Sequence, residues 1–154
     1  MKIWRICKQQ HANTALSGIG AELYGGRWNS AGRRMVYCAS SLSLAALETF
    51  VHIEVNLLPT DLVSVEVHLP EDCSREMIRV ESLPEDWRTY PAPEQLQEIG
   101  NQWLINNSSV VLIVPSVVIP AEENYLLNPL HIDFQRIRIS EIRPFTFDPR
   151  MFRS

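Results

Sequence analysis

The segment that most constrains how this chain can fold is Tyr24–Asn29, which reads Tyr-Gly-Gly-Arg-Trp-Asn. Adjacent glycines destabilise helices and strands, but they adopt unusual backbone dihedrals and allow a ligand to approach the main chain closely. Five of the six glycines lie between Gln9 and Gly32, so we expect that region to be mostly loop or irregular turn. Within it, Arg27 could present its planar guanidinium to a phosphate or carboxylate, and the segment therefore suits an anion site.

The length and charge of the chain restrict its class. Its 154 residues, 45% of them hydrophobic, are enough for a single core, and we expect one domain over residues 1–154. The formal net charge of -4, without a long block of lysine and arginine, argues against a surface that neutralises a nucleic-acid backbone. We expect no direct binding of nucleic acid.

Cysteine and hydropathy patterns indicate the compartment. The three cysteines are an odd number without CxxC spacing, so neither a disulfide framework nor a zinc site is predicted, and a reducing compartment is the simpler interpretation. The start of the sequence lacks a charged stretch followed by a long apolar run, and nowhere do about 18 apolar residues follow one another. We expect a cytoplasmic protein with no membrane contact.

Apolar periodicity predicts the secondary structure. Alternating or continuous apolar runs predict strands at 2–7, 35–39, 62–69, 109–114, 135–139 and 142–147. Helical spacing predicts helices at 41–54, after a serine cap, and from Pro93 to Asn106. Because strands are grouped rather than alternating regularly with helices, we predict an α+β domain with mixed, mostly antiparallel sheets and a few helices.

Two further segments lack a regular pattern. The region from Glu71 to Pro93 carries three prolines and scattered charges, which predicts a surface excursion with one short strand near 77–80. The segment Glu122–His131 is polar and turn-rich around two leucines, and we predict turns there.

Glu48 is the carboxylate whose position most suggests chemistry. The predicted helix has an apolar ridge through Leu44 and Val51, and Glu48 lies one position from that ridge. Partial burial of a carboxylate beside an apolar surface costs free energy unless a partner stabilises the charge, so such a residue is a candidate for a functional role. The alternative is a glutamate at the helix edge. For Arg27 the alternative is a loop arginine in a surface ion pair.

Tyr37 and Ser116 have weaker signals. Tyr37 lies inside a short apolar strand, where a tyrosine is either a core aromatic with a satisfied hydroxyl or a ring that stacks on a ligand. Ser116 follows a buried strand and a proline, which is typical of a turn or cap, and it lacks the GxSxG context of a hydrolase nucleophile. The four histidines have no metal-binding spacing, and the glycines do not form the GxGxxG pattern of a dinucleotide fold.

Taken together, these segments resemble the RES domain, the toxin half of bacterial toxin–antitoxin pairs, over nearly the whole chain. The motifs that carry the resemblance are Trp4-Arg5, Ser17-Gly18-Ile19-Gly20-Ala21, Gly25-Gly26-Arg27-Trp28-Asn29, Val36-Tyr37, Leu44-Ala45-Ala46-Leu47-Glu48, Val114-Pro115-Ser116 and Asn128-Pro129. Their combined order is more specific than any one of them. The resemblance implies an α+β fold related to ADP-ribosyltransferases, and degradation of NAD by cleavage of its nicotinamide–ribose bond with water or inorganic phosphate.

The resemblance also implies an active-site set of Arg27, Tyr37, Glu48 and Ser116. Glu48 would offset the positive charge that develops on the ribose, and Arg27 would bind the pyrophosphate or an attacking phosphate. Tyr37 would stack on nicotinamide or ribose. Ser116 would position Glu48 or the ribose hydroxyls rather than attack.

The same motifs place Arg5 and Asn29 among the residues expected to bind NAD. The implied chemistry requires no cofactor and no metal, with NAD as the substrate and inorganic phosphate as an optional co-substrate. The family implies a helix-turn-helix, Xre-like antitoxin as the partner, and self-association as a homodimer is left open. Two alternatives also stay open, namely an ADP-ribosyltransferase that modifies a cellular protein and a non-catalytic module that binds a nucleotide or anion.

Overall fold

A computed structural model describes residues 1–54 and 56–152 and contains a seven-stranded sheet. Its strands, in chain order, are Lys2–Lys8 (β1), Val36–Ala39 (β2), Leu62–His68 (β3), Arg75–Met77 (β4), Val111–Pro115 (β5), Glu123–Leu127 (β6) and Arg138–Pro144 (β7). Across the sheet the order is β4-β5-β6-β2-β1-β3-β7, and neighbouring strands are antiparallel except for the parallel pair β4 and β5. The predicted α+β class with a mixed, mostly antiparallel sheet is confirmed.

The α-helices that accompany the sheet are Ile19–Tyr24 (α1), Leu42–Phe50 (α2) and Glu94–Asn106 (α3). α2 begins after Ser41, whose hydroxyl accepts a hydrogen bond from the backbone N–H of Leu44 at 3.1 Å, in agreement with the predicted serine cap. α3 begins after Pro93, as predicted, and ends at Asn107, which has a left-handed φ of 51°. Short 3₁₀ turns occupy Gln9–Thr14, Val80–Ser82, Ile132–Arg136 and Pro149–Phe152. Among the described residues, none of the helices has the length and apolar character needed to cross a membrane.

The sheet separates two apolar layers, because successive side chains of a strand point to opposite faces. The first layer includes Val65 and Val67 of β3, both 0% exposed, as the predicted alternation requires. The second layer lies on the other face, where Trp103 of α3 and Leu44 of α2 pack against the sheet. Tyr37 of β2 contacts the second layer. Both longer helices and the strand carrying Tyr37 therefore meet on one face.

The segment Glu122–His131, predicted as turns, contains an interior strand instead. β6 pairs with β2 on one side and with β5 on the other. Its residues Tyr125–Leu127 are buried, whereas the polar residues Glu123 and Asn124 begin the strand. Because the polar residues stand together at one end, the strand has no alternating pattern, and periodicity missed it.

Three other predictions of secondary structure differ from the structure. The helix predicted at 41–54 is too long, since α2 ends at Phe50. The strands predicted at 135–139 and 142–147 form one strand, β7, which a 3₁₀ turn precedes. The region from 9 to 32, predicted as mostly loop, includes α1 and another 3₁₀ turn. Short elements such as these are stabilised by tertiary packing, so local patterns define their ends poorly.

Candidate active site

Glu48 of α2 reaches the ends of two neighbouring strands. Its Oε1 accepts hydrogen bonds from the hydroxyl of Ser116 at 2.7 Å and from the side-chain amide of Asn124 at 2.8 Å. Ser116 follows β5 directly, and Asn124 pairs with Val114 across β5 and β6. Among the described residues no donor reaches Oε2, and that oxygen is not buried. Oε2 is therefore the oxygen that a ligand can contact.

The helix edge around Glu48 differs from the prediction in one respect. Leu44 is 1% exposed and packs against the sheet, but Val51 is 55% exposed because α2 ends at Phe50. The apolar ridge is thus buried at one end only, and Glu48 is half-buried. Specific donors, rather than full solvation, stabilise its carboxylate.

Ser116 is completely buried, and its hydroxyl has a fixed orientation. Its Oγ accepts hydrogen bonds from the backbone N–H groups of Val118 at 3.1 Å and Ile119 at 3.0 Å, while it donates its own proton to Glu48. A hydroxyl has one proton to donate and two lone pairs, so all three are used. No lone pair is left for attack on a substrate, and the arrangement suits positioning of the carboxylate.

The Gly-Gly-Arg turn (residues 25–29) rests directly on α3. Gly100 of that helix lies against the carbonyl oxygen of Trp28, so closely that a side-chain carbon there would collide with it. The side-chain amide of Gln97, one helical turn earlier, donates to the carbonyl oxygen of Gly26 at 3.0 Å. α3 thus sets the position of the turn through contacts with its main chain.

Tyr37 holds the other side of the Gly-Gly-Arg turn. Its hydroxyl donates to Oδ1 of Asn29 at 2.6 Å and accepts from the backbone N–H of Trp28 at 3.1 Å. Burial raises the pKa of Tyr37, which keeps the phenol protonated and able to donate. The hydroxyl is therefore committed to the turn. The expected stacking of the ring on a ligand stays a prediction.

Asn29 lies in the interior of the Gly-Gly-Arg turn. It is 0% exposed, and its Nδ2 donates to the carbonyl oxygens of Ala21 at 2.9 Å and Arg33 at 3.1 Å. Its Oδ1 accepts from Tyr37. A side chain without exposed surface and with both polar atoms bonded inside the chain holds the turn together, and the expected contact of Asn29 with NAD stays a prediction.

Arg27 binds a loop that the sequence predicted as part of a surface excursion. Its Nη1 donates to the carbonyl oxygens of Trp87 at 2.9 Å and Thr89 at 3.1 Å. Trp87 is 6% exposed and packs in the second layer, so it anchors this loop to the core, while most of the segment 71–93 lies at the surface as predicted. Within the described chain, Nε and Nη2 of Arg27 have no partner and are not buried. These N–H groups are free to bind an anion.

Arg27 and Glu48 share one electrostatic environment. Partial burial lowers the pKa of Arg27, and the Glu48 carboxylate opposes this by favouring the charged guanidinium. Their hydrogen bonds go to other groups in the described part of the chain, so each keeps atoms free. A carboxylate with an open oxygen, in the same electrostatic environment as a guanidinium with open N–H groups, can stabilise a developing cation while the guanidinium holds an anionic part of the same ligand.

Arg5 lies on β1 next to the point where pairing between β1 and β2 ends, apart from Arg27 and Glu48. These strands share a single registered pair, Trp4 with Ala39, whereas β1 and β3 share seven. Beside that pair, Nη1 of Arg5 donates to the carbonyl oxygen of Tyr37 at 3.0 Å, and its Nε is buried without a partner among the described residues. Ile3, on the same face of β1, belongs to the first layer. Arg5 therefore supports the strand of Tyr37 from the face opposite to α2.

Two parts of the site were not predicted from the sequence. Asn124 stood in the segment predicted as turns, and Trp87 stood in the predicted excursion. The signal available for Asn124 was the apolar run Tyr125–Leu127 that follows it, which fits the buried end of a strand. No sequence signal indicated that the carbonyls of Trp87 and Thr89 meet Arg27, because every residue has a backbone carbonyl.

Similarity to known proteins extends over nearly the whole chain. The model of the family described as the RES domain matches residues 2–148. The protein named Toxin Res of Yersinia enterocolitica is 42% identical, over 98% of this chain and 99% of its own length. The protein named Prs ADP-ribosylating toxin of a Sphingobium species is 40% identical, over 97% of this chain and 96% of its own length.

The fold is similar over the same extent. A chain of the crystal structure of the M. tuberculosis MbcT–MbcA toxin–antitoxin complex aligns with a TM-score of 0.76 over 98% of this chain and 86% of that chain, at 15% identity. This likeness shows that the chain shares the fold of that neighbour, and the expected relation of the fold to ADP-ribosyltransferases stays a prediction. Because the family model spans residues 2–148 and the relatives are 42% and 40% identical over almost their full lengths, the chain belongs to the RES domain family.

Proposed function

We propose that this chain is the toxin of a toxin–antitoxin pair and that it degrades NAD by cleaving the bond between nicotinamide and ribose. The observation that carries this proposal is the open Oε2 of Glu48, on a carboxylate held by two donors and close enough to Arg27 to favour its charge. The names of the relatives, Toxin Res and Prs ADP-ribosylating toxin, agree with a toxin and, in one case, with ADP-ribose chemistry.

In the proposed reaction, the bond between the anomeric carbon of the ribose and the nicotinamide nitrogen breaks. Its electron pair leaves with nicotinamide, which becomes neutral, and positive charge develops on the ribose. Oε2 of Glu48 would offset that charge. A water or phosphate oxygen then forms the new bond to the anomeric carbon and gives its proton to Glu48 or to solvent. The second product is ADP-ribose or its phosphorylated form.

Arg27 would hold the negatively charged part of NAD. Its Nη1 is committed to two carbonyl oxygens, so Nε and Nη2 are the groups that would bind phosphate oxygens through parallel bonds. Ser116 would keep the carboxylate oriented, and Tyr37 would act through the turn that carries Arg27. Arg5 would act more remotely, by supporting the strand of Tyr37. The proposed reaction needs NAD and an acceptor, with no further cofactor.

Release of free nicotinamide from NAD by the purified chain tests this function, with the other product identified by mass in the presence and absence of phosphate. Glu48→Gln keeps the size of the side chain and removes its charge, so we expect nicotinamide release to fall about 100- to 1,000-fold. The matched control is Glu98→Gln, at an exposed glutamate of α3, which should keep wild-type activity. Absence of release by wild type would refute the function, and equal release by wild type and Glu48→Gln would refute the catalytic role of Glu48.

Transfer of ADP-ribose to a protein is the second candidate, and the relative named Prs ADP-ribosylating toxin favours it. Departure of nicotinamide is common to both reactions, and only the acceptor differs. NAD labelled in its adenine, incubated with the chain and a bacterial lysate, separates them. Label that stays on denatured protein indicates transfer, whereas label in free ADP-ribose or its phosphorylated form indicates degradation. Saturable NAD binding without any product would indicate the non-catalytic module.

The partner that we propose is a helix-turn-helix, Xre-like antitoxin. The structural neighbour comes from a toxin–antitoxin complex, which supports an antitoxin as partner and leaves its type to the resemblance. Co-expression with the product of the adjacent reading frame, followed by co-purification and growth measurements, tests the pairing. Light scattering on the isolated chain tests the homodimer, and cell fractionation tests the proposed cytoplasmic location.

A further inference from the structure

We propose that Asn124 is a positioning residue that, together with Ser116, directs Oε2 of Glu48 toward the substrate. This role deepens the proposed function and rests on it. Its basis is the hydrogen bond of 2.8 Å from Nδ2 of Asn124 to Oε1 of Glu48, the same oxygen that Ser116 contacts at 2.7 Å. None of the sequence motifs contains Asn124.

The orientation of the Asn124 amide follows from its partner. An ionised carboxylate only accepts hydrogen bonds, whereas an amide has a donating nitrogen and an accepting oxygen. The nitrogen therefore faces Glu48, and Oδ1 points elsewhere. Among the described residues Oδ1 has no partner, and it is not buried. Asn124 thus has one atom on the carboxylate and one open atom, and an experiment must separate positioning from substrate contact.

The backbone of Asn124 provides a rigid support. In the interior strand β6, Asn124 pairs with Ala39 of β2 and with Val114 of β5. The next two residues, Tyr125 and Leu126, are buried in opposite layers of the sheet. A side chain that starts from a strand held on both sides is placed more accurately than one on a loop. The strands on both sides therefore fix the backbone from which the Asn124 side chain reaches Glu48.

Two donors are needed to fix the orientation of the Glu48 carboxylate, because rotation about the last side-chain bond of a glutamate has a low barrier. The carboxylate rotates in a broad, roughly two-fold potential, so a single donor leaves several orientations accessible. Ser116 approaches Glu48 from the end of β5 and Asn124 from β6, and together they hold Oε1. The backbone N–H groups of Val118 and Ile119 lock Ser116 in turn. Oε2 is consequently held in one direction, away from both donors.

The decisive experiment makes the same substitution at two asparagines. Asn124→Asp keeps the size of the side chain but replaces the donor beside Glu48 by a second acceptor. Asn128→Asp is the matched control, because the amide of Asn128 donates to Asn107 at 2.8 Å. We expect kcat for nicotinamide release to fall about 10- to 100-fold in Asn124→Asp, with KM for NAD within about twofold of wild type. Asn128→Asp should keep the wild-type kcat.

Asn124→Ala and Ser116→Ala complete a double-mutant cycle. Both donors act on one oxygen, so the double variant should lose less than the product of the two single losses. Melting temperatures measured without NAD show which variants fold like wild type. Unchanged kcat in Asn124→Asp would overturn the positioning role. A higher KM at constant kcat would also overturn it, because Asn124 would then contact the substrate.

A measurement without turnover keeps this role separate from the proposed function. The side-chain amide resonance of Asn124 can be assigned by its loss in Asn124→Asp. It should shift in Glu48→Gln, while that of Asn128 should stay in place. If wild type released no nicotinamide, the proposed function would fail. The Asn124 resonance would still show whether its side-chain amide bonds to Glu48. An unshifted Asn124 resonance in Glu48→Gln would overturn the positioning role directly.

Discussion

The two halves of the candidate site are built in opposite ways. In the carboxylate half, the side chains of Ser116 and Asn124 hold Glu48 by converging on one of its oxygens. In the arginine half, Arg27 projects from the Gly-Gly-Arg turn, whose main chain lies directly on α3 at Trp28. The first half is held by two side-chain hydrogen bonds at a half-buried carboxylate. The second half adds close packing of the buried main chain against α3 to its side-chain hydrogen bonds from Gln97 and Tyr37.

This difference shows where stability and activity are coupled. Trp28 and Asn29 are 3% and 0% exposed, so a change in the arginine half disturbs the packed interior together with the position of Arg27. Glu48 is half-buried and has an open oxygen, so a change there alters charge and orientation while the core stays intact. Variants of the arginine half should lose stability and activity together, and variants of the carboxylate half should lose rate.

The largest effect is expected for Gly100→Ala, in the support of the arginine half. The added side-chain carbon would collide with the carbonyl oxygen of Trp28. Both partners belong to the main chain, so the clash can be relieved only by displacing α3 or the turn. We expect the free energy of unfolding, measured by urea denaturation, to fall by at least about 3 kcal/mol.

Gly20→Ala is the matched control for this substitution. Among the residues that the structure describes, nothing lies within 4 Å of the side-chain carbon that it adds on α1. It should be neutral or slightly stabilising, because alanine has the higher helix propensity. If Gly100→Ala were as stable as wild type, the turn would not depend on α3, and the contrast between the two halves would lose its basis.

An intermediate effect is expected for Arg27→Lys, which keeps the positive charge. A lysine has one nitrogen, which cannot serve the carbonyls of Trp87 and Thr89 and also bind phosphate through parallel bonds. We expect KM for NAD to rise about 10- to 100-fold and the melting temperature to fall slightly. Arg33→Lys, at an exposed position, should change neither value. An unchanged KM in Arg27→Lys would contradict anion binding by this side chain.

The smallest effect is expected for Tyr37→Phe, which removes a hydroxyl and keeps the ring. The backbone N–H of Trp28 and Oδ1 of Asn29 both lose a partner. The free energy of unfolding should fall by about 1–2 kcal/mol. Nicotinamide release per folded molecule should fall slightly, because the turn that carries Arg27 loses the hydroxyl that holds it, while the ring and Arg27 remain. A large loss of rate in a stable Tyr37→Phe protein would give the hydroxyl a direct part in the reaction.

The alkaline stability of the same variant sharpens this test. Burial raises the pKa of Tyr37, so the folded chain keeps the phenol proton at pH values where the unfolded chain loses it. This contribution to stability is complete below about pH 10 and is lost as the pH rises further. The alkaline decline in the free energy of unfolding should therefore be shallower in Tyr37→Phe than in wild type. Tyr24→Phe, at a tyrosine that is 85% exposed, should leave the decline unchanged.

Periodicity predicted the elements that have one buried face. The alternating valines of β3 and the start of α3 after Pro93 are confirmed. β6 was missed because Glu123 and Asn124 stand together at its start, where Asn124 bonds to Glu48. Hydropathy assigns such residues to solvent-facing turns. The periodicity rule failed at the end of the strand that carries Asn124 to the candidate site, while Tyr125–Leu127 at the other end are buried in the core.

The sequence by itself determined the family and named the chemical groups of the candidate site. Its ordered motifs pointed to Arg27, Tyr37, Glu48 and Ser116, and the structure brings Glu48 to Ser116 and the turn of Arg27 to Tyr37. Side-chain chemistry is a property of each residue, so it can be read before the fold is known. The alternating burial of β3 is equally local, because neighbouring residues of a strand face opposite sides.

Only the tertiary structure decided which atoms of those groups remain free. The bond from Asn124 to Glu48 joins residues 76 positions apart, and the bond from Arg27 to Thr89 joins residues 62 positions apart. Such contacts depend on how strands and loops assemble, whereas periodicity describes only neighbours along the chain. The open oxygen of Glu48 and the open N–H groups of Arg27 result from that assembly.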